Sequence, residues 1–292
     1  RDVDMVSDGW TEIIRNLTGI VAKHASKRLG RRLTKAERAH LMELSDYKKM
    51  NQIRARAEEI VNDPETAEAL KPWYRQFCKR PCFHDEYLQT YNRDNVSLVD
   101  TQGKGVERLT EKGVIVDGKE YEVDCLIFAT GFEVATSYTR RAGYDIIGKQ
   151  GKTLSSHWKN GLRTLHGLHS NGFPNCFFLG FTQGGQTVNA PHALDEQAKH
   201  LAYILDEVRA RNASTVEASA EAEQQYVDEI HRLASLGRRF YSECTPGYYN
   251  GEGTSGNEGG FFSNMYGGGP TRFFKLLERW RSEGVLRGLK VK

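Results

Sequence analysis

Residues Asp124 to Phe132 read Asp-Cys-Leu-Ile-Phe-Ala-Thr-Gly-Phe, a short apolar run that ends in a Thr-Gly turn. A continuous apolar run of this length, entered from the Asp117-Gly118 hairpin signal, predicts a strand over Cys125 to Ala129 buried on both faces of an α/β sheet. The ends of such strands are where nucleotides bind. Gly131 has no Cβ, so a cofactor or another backbone can approach it closely, and Thr130 offers a hydroxyl. A lone Ala-Thr-Gly equally fits a plain strand-end turn, so the reading depends on the surrounding chain.

Upstream, the first seventy residues have helical periodicity. Ile13, Ile14, Leu17, Ile20 and Val21 form one apolar stripe. A second helix opens with Thr34 and, three residues on, Glu37, a capping box; its stripe is Leu41, Leu44, Ile53, Ala57 and Ile60. Asp63-Pro64 starts a third, which ends before Pro72. From Arg93 the pattern changes to short strands at Val96 to Val99, Val106 to Leu109, Val114 to Val116 and Glu120 to Val123, a meander feeding the apolar run.

Downstream, Cys176 to Gly180 predicts a second buried strand, followed by the loop Phe181-Thr-Gln-Gly-Gly-Gln-Thr187. A helix follows with Pro191 in its first turn and Leu194, Ala198, Leu201, Leu205 and Val208 on one face. Strand, glycine loop and helix N-terminus together suit an anion or an electron-rich ring. Another helix is expected over Thr215 to Phe240. Thr245 to Pro270 is rich in glycine and aromatics, the composition of a lid or of a long irregular connection. Gly251-Glu-Gly-Thr-Ser-Gly256 matches the dinucleotide fingerprint by letter only, because no strand precedes it and no helical pattern follows.

The chain has 292 residues and a net charge of +3. That length fits one large or two modest domains, and the start at Arg1 points to a fragment or processed product. The slight positive balance does not argue for nucleic acid; the mixed charges from Lys23 to Arg56 are read as a solvated face. No membrane-spanning stretch or signal pattern is present, and a cytoplasmic location is expected. Five scattered cysteines suggest free thiols rather than a disulfide framework. Cys78, Cys82 and His84, or His166 and His169, lack regular zinc spacing, so no metal is expected.

Four motifs, in order, carry a resemblance: Lys79-Arg80-Pro81, Tyr87 with Tyr91-Asn-Arg-Asp-Asn-Val96, Ala129-Thr-Gly-Phe132, and Gly172-Phe-Pro-Asn175. The chain resembles the C-terminal half of a Baeyer-Villiger monooxygenase, a class B flavoenzyme with one domain for FAD and another for NADPH. The resemblance implies an α/β fold: a partial two-dinucleotide-binding-domain flavoprotein with a helical insertion and a C-terminal glycine-rich loop. Its expected divisions are 1–76 for the helical insertion, 77–135 for the C-terminal part of the NADPH-binding domain and 136–292 for that of the FAD-binding domain, with a mobile loop at 245–270. The family's glycine-rich fingerprints are not in this chain, so the N-terminal half is an expected partner. In the implied reaction NADPH reduces FAD, oxygen adds to the flavin, and the adduct attacks a small-molecule ketone to give an ester or lactone.

By the same resemblance Arg80 falls on the catalytic arginine and Lys79 near the 2′-phosphate of NADPH. Thr130, Gly131 and Phe132 fall on a cofactor-contacting turn. Gln186, Thr187, Val188, Pro191 and His192 fall beside the flavin ring, and Tyr248 falls where several members place a nicotinamide-contacting tryptophan. The glycine loop departs from the better-known members, which leaves pocket size open. Alternatives are N- or S-oxygenation and a non-catalytic packing or dimerisation fragment. A disulfide reductase would need a Cys-x-x-Cys, which the spacing of Cys78 and Cys82 does not supply.

Overall fold

The computed structural model describes residues 5, 8–17, 20–134, 136–180, 182–185, 187, 189–234, 238–253 and 264–292. It is mixed α/β and divides into two compact units, Arg1–Phe132 and Glu133–Lys292.

The first unit carries α1 (Gly9–Leu17), α2 (Ile20–Leu29), α3 (Lys35–Ile60), α4 (Pro64–Ala69) and α5 (Tyr87–Thr90), then β1 (Arg108–Leu109), β2 (Gly113–Val116) and β3 (Lys119–Glu122). The capping box forms as its letters predict: Thr34 Oγ1 accepts from the Glu37 amide, and the Glu37 carboxylate accepts from the Thr34 amide at 2.8 Å. Asp63 caps α4 by accepting from the Thr66 amide at 2.8 Å. The Asp117-Gly118 turn takes left-handed backbone at both positions, φ 48° and 71°, which joins β2 to β3 in an antiparallel hairpin.

The buried face of α3 differs from its apolar stripe: Asp46, Met50 and Ala57 are buried, and Leu44 stays exposed. Asp46 is tolerated inside because it accepts from Arg75 Nε at 2.7 Å, the Gln76 amide at 3.0 Å and Gln76 Nε2 at 3.1 Å. Asp46→Ala would leave two buried amide donors without their acceptor and take one carboxylate partner from the half-buried Arg75 guanidinium, which Glu43 reaches only at 4.0 Å. It is expected to cost about 3 kcal/mol, read as a lowered urea midpoint.

The predicted strand at Cys125 to Ala129 does not form. The run is extended but unpaired, with Ile127 81%, Phe128 71% and Phe132 87% exposed. Among the described residues no backbone hydrogen bond engages residues 124–132. A strand buried on both faces needs ladder partners, and the three-stranded sheet β1-β2-β3 stops short of this run. The meander is also smaller than expected: Val96 to Val99 is irregular, and the pairing at Val106 to Leu109 narrows to β1.

The second unit carries α6 (Tyr138–Ala142), α7 (Leu154–His157), α8 (Ala190–Ala210), β4 (Val216–Ala218), α9 (Ala220–Leu233), α10 (Arg238–Ser242), α11 (Pro270–Ser282) and β5 (Leu289–Val291), with β4 and β5 antiparallel. Phe273, Leu277, Ile230 and Tyr226 pack as one apolar cluster; Ile204, Val208, Val216 and Trp280 form another. The expected strand at Cys176 to Gly180 is also absent. Phe178 instead donates its amide to the Leu168 carbonyl at 2.9 Å, and Leu179 is exposed. The expected helix from Thr215 to Phe240 begins instead with β4, whose residues are drawn into pairing with β5.

The inner face of α8 is offset from the predicted one. Ala193, Gln197, His200, Ile204 and Val208 are buried, while Leu194 and Leu205 are exposed.

Candidate functional site

The loop between Gly180 and α8 is held from two sides by buried glutamines. Gln183 is fully buried in left-handed backbone at φ 49°. Its Oε1 accepts from the Thr164 amide at 2.9 Å and the Thr164 hydroxyl at 2.6 Å, and its Nε2 donates to the Leu162 carbonyl at 2.8 Å. Its own carbonyl accepts from the Tyr226 hydroxyl at 2.6 Å, a phenol that burial holds well above its ordinary pKa. Gln197, from the second turn of α8, clasps Gly180 by accepting from its amide at 2.9 Å and donating to its carbonyl at 2.7 Å. At Gly185 a Cβ would lie 2.7 Å from Phe273, so only glycine fits without displacing that ring. The Gly184 carbonyl accepts from the Tyr266 amide at 3.0 Å. The result is a preformed loop at the partially positive end of α8.

Around that helix end, Thr187 Oγ1 accepts from the Asn189 amide at 2.8 Å, and the Asn189 side chain caps the helix by accepting from the His192 amide at 3.2 Å. Pro191 and His192 are exposed, with the imidazole edge-on to Phe274 at 5.1 Å. The structure thus brings Thr187, Pro191 and His192 together; Gln186 and Val188 lie outside the described residues. Tyr248 stacks on the buried Tyr249 at 4.3 Å between ring centroids. The stretch 254–263 of the glycine-aromatic segment also lies outside the described residues.

In the first unit Arg80 is exposed, and its guanidinium sits 5.5 Å from the centre of the Trp10 indole, within cation–π range. Trp10 meets Phe83 edge-on at 5.5 Å and Phe77 at 6.4 Å, so the arginine lies on an aromatic patch. Lys79 is half-buried, 5.6 Å from the Tyr74 ring centre. Thr130 and Gly131 are exposed with Phe132, and Gly131 has φ 86° with open space where a Cβ would stand.

Among the described residues the metal-capable side chains that converge are not the two sets considered from sequence. They are His192, Asp195 and Glu196, with ligand atoms within 4.8 Å of one another. Lys199 already pairs with Asp195 at 2.7 Å and Glu196 at 2.9 Å, which spends their charge on an ammonium. Cys82, Cys125 and Cys176 carry free thiols, whereas Cys78 and Cys244, against expectation, are not free.

Sequence reading missed Gln183, Gln197, Tyr226 and Trp10. Gln197 had a signal: it falls on the four- and three-residue spacing of Ala193, His200 and Ile204. Trp10 had none, because only the tertiary fold brings it beneath Arg80.

No family model matches the chain. It is 50% identical over 294 aligned residues to neopentalenolactone D synthase of Streptomyces avermitilis, covering 100% of this chain and 48% of the relative. It is 44% identical to a Baeyer-Villiger monooxygenase of Streptomyces coelicolor, covering 97% of the chain and 46% of the relative. Among solved structures it is similar to the polycyclic ketone monooxygenase of Thermothelomyces thermophila, with TM-score 0.77 and 34% identity over 100% of this chain and 47% of that one. It is also similar to OTEMO in complex with FAD and NADP, with TM-score 0.70 and 25% identity over 85% of this chain and 44% of that one. The chain spans about half the length of the curated relatives it matches.

Proposed function

We propose, from the premise that this chain is homologous over nearly its whole length to a Baeyer-Villiger monooxygenase, that it supplies the C-terminal portion of an FAD- and NADPH-dependent enzyme of that kind. The reaction inserts one oxygen atom beside a ketone carbonyl and yields an ester or lactone. The match to a Baeyer-Villiger monooxygenase, 44% identical over 97% of the chain, carries this reading.

The residues present fit one side of a flavin. A glycine loop that admits no side chain at Gly185, set at the positive end of α8, suits the approach of a flat, electron-rich ring. Thr187, Pro191 and His192, with Gln186 and Val188, would border it. The chain has no fingerprint loop between a strand and a helix for the pyrophosphate, so the remaining contacts belong to the half of the relatives that it does not cover. FAD, when bound, supplies the oxygen-activating chemistry.

Arg80 has the protein's central role in this reading. Its guanidinium keeps its charge at every working pH and can meet two oxygens at once, so it stabilises negative charge on the substrate oxygen without giving up a proton. The Trp10 face under it limits the directions in which the fork can point. Lys79 offers a point charge for the NADPH 2′-phosphate, Tyr248 a ring for the nicotinamide, and Thr130 to Phe132 an open surface for cofactor contact. The exposed apolar run through Phe132 supports docking of the remaining half of the enzyme by strand pairing. A cytoplasmic setting, supplied with NADPH, suits this reading; among the described residues no helix is long and apolar enough to cross a membrane.

The test is to co-produce this chain with that remaining half and supply ketones, NADPH and ¹⁸O₂. Flavin absorbance in the purified complex and an ester carrying one ¹⁸O are expected. A complex that holds flavin yet oxygenates only amines or sulfides would move the reading to heteroatom oxygenation.

A further inference from the structure

The stretch Lys23 to Arg56 was read as a solvated face of mixed charge, but in its first part, Lys23 to Arg38, Glu37 is the single carboxylate among seven lysines and arginines. Folding gathers five of those cations into one groove. Between α2 and the first turn of α3 lies an open cavity of about 640 Å³, whose lining includes Lys23, Lys27, Arg31, Arg32 and Arg38.

Helix stability does not account for this arrangement. Lys27 does complement the negative end of α2. Arg38, however, stands in the first turns of α3, where the helix dipole disfavours a cation. Lys23 and Lys27 are four apart on one helical face, a like-charge spacing that is also unfavourable. Among the described residues only Arg31 of the five is neutralised, by a two-pronged pair with Glu37 at 2.6 and 3.0 Å. Among the described residues no ion pair engages Lys23, Lys27, Arg32 or Arg38.

We infer that this groove is a binding site for a small ligand bearing two or three linked phosphates. Four uncompensated cations exceed what one phosphate neutralises and match a di- or triphosphate group. The two arginines among them present forks that meet phosphate oxygens in pairs. No aromatic side chain lines the groove, so it has no platform for stacking a base, and recognition falls on the phosphates themselves. The volume lies in the range of small-molecule sites, and a concave groove of this size suits a compact ligand better than a flat protein face. The inference does not rest on the oxygenase reading.

Titration of the chain with inorganic tripolyphosphate by calorimetry at 50 mM salt tests it. One-to-one binding is expected, weakened about tenfold by the double substitution Arg32→Ser and Arg38→Ser and several-fold at 200 mM salt, where exposed charges are screened. Circular dichroism of the double variant, expected to match the parent, separates lost binding from lost folding. Absence of binding at 50 mM salt overturns the proposal, as does a folded double variant that binds with parental affinity. Binding to phosphatidylserine vesicles without binding to tripolyphosphate overturns it in favour of a membrane surface.

Discussion

Arg80→Ala, in an enzyme that joins this chain to the remaining half of the relatives' length, is expected to preserve flavin reduction by NADPH and lower ester formation by about 10²- to 10³-fold, the size of effect seen when a preorganised charge stabiliser is removed. The argument rests on charge and shape together. On the proposed reading, a side chain here must face developing negative charge on oxygen and must not be acidic, and guanidinium meets both needs. Arg80→Lys is therefore expected to recover little, because an ammonium keeps the charge but loses the planar fork. Stopped-flow absorbance separates the two half-reactions: the reductive phase should match the parent, and the product assay should not. Parental ester yield from Arg80→Ala would remove Arg80 from the chemistry and leave it as a surface arginine resting on Trp10.

Acidification from pH 7 to pH 5 is expected to destabilise the second unit by several kcal/mol, because it holds three histidines uncharged. Burial pushes His166 down to about 3, His169 to about 4 and His200 to about 2. His166 Nδ1 lies 3.3 Å from His200 Nε2, so the pair cannot both be protonated cheaply, and Arg281 adds further positive charge near His200. Tyr226, Trp280 and Phe177 supply the apolar rings around them. Both ring nitrogens of His169 are buried with no hydrogen-bond partner, so a charge there would find no counterion.

Because the folded pKa values are depressed, the unfolded chain binds more protons below about 6.5. Stability is complete above that pH and falls as pH drops toward 4, by about 1.4 kcal/mol per pH unit for each histidine. Urea midpoints at pH 7, 6 and 5 measure the slope, and His169→Phe, which suits a site already walled by Phe177, should reduce it by roughly a third. Midpoints unchanged between pH 7 and 5 would mean that these imidazoles are not held neutral.

The parts of the fold legible in sequence are those decided by neighbours. Thr34 and Glu37 cap α3, Asp63 and Pro64 open α4, and Asp117-Gly118 turns β2 into β3, each through atoms a few residues apart. The parts that misled depend on distant partners. The run after Asp124 has the composition of a doubly covered strand, but composition cannot supply the strands that would cover it, and the run stays in solvent. Val216 to Ala218 looked helical and instead pairs with β5, far along the chain. On α8 the apolar letters indicated one stripe while the fold buries its neighbour, because Gln197 and His200 occupy the inner face for hydrogen-bonding and ring-packing reasons that hydropathy does not register. The candidate site divides in the same way. The glycine loop and the helix start were visible, but the two glutamines that fix the loop were not.

That double clasp has an implication for altering substrate range. Gln183 is tied to Thr164, Leu162 and Tyr226, and Asn189 is tied to its own helix and to Thr187, so each end of the short connection has its own anchor. Libraries randomised at Gln186 and Val188 should therefore yield a high proportion of folded proteins, whereas the same randomisation extended to Gln183, Gly185 or Thr187 should yield fewer.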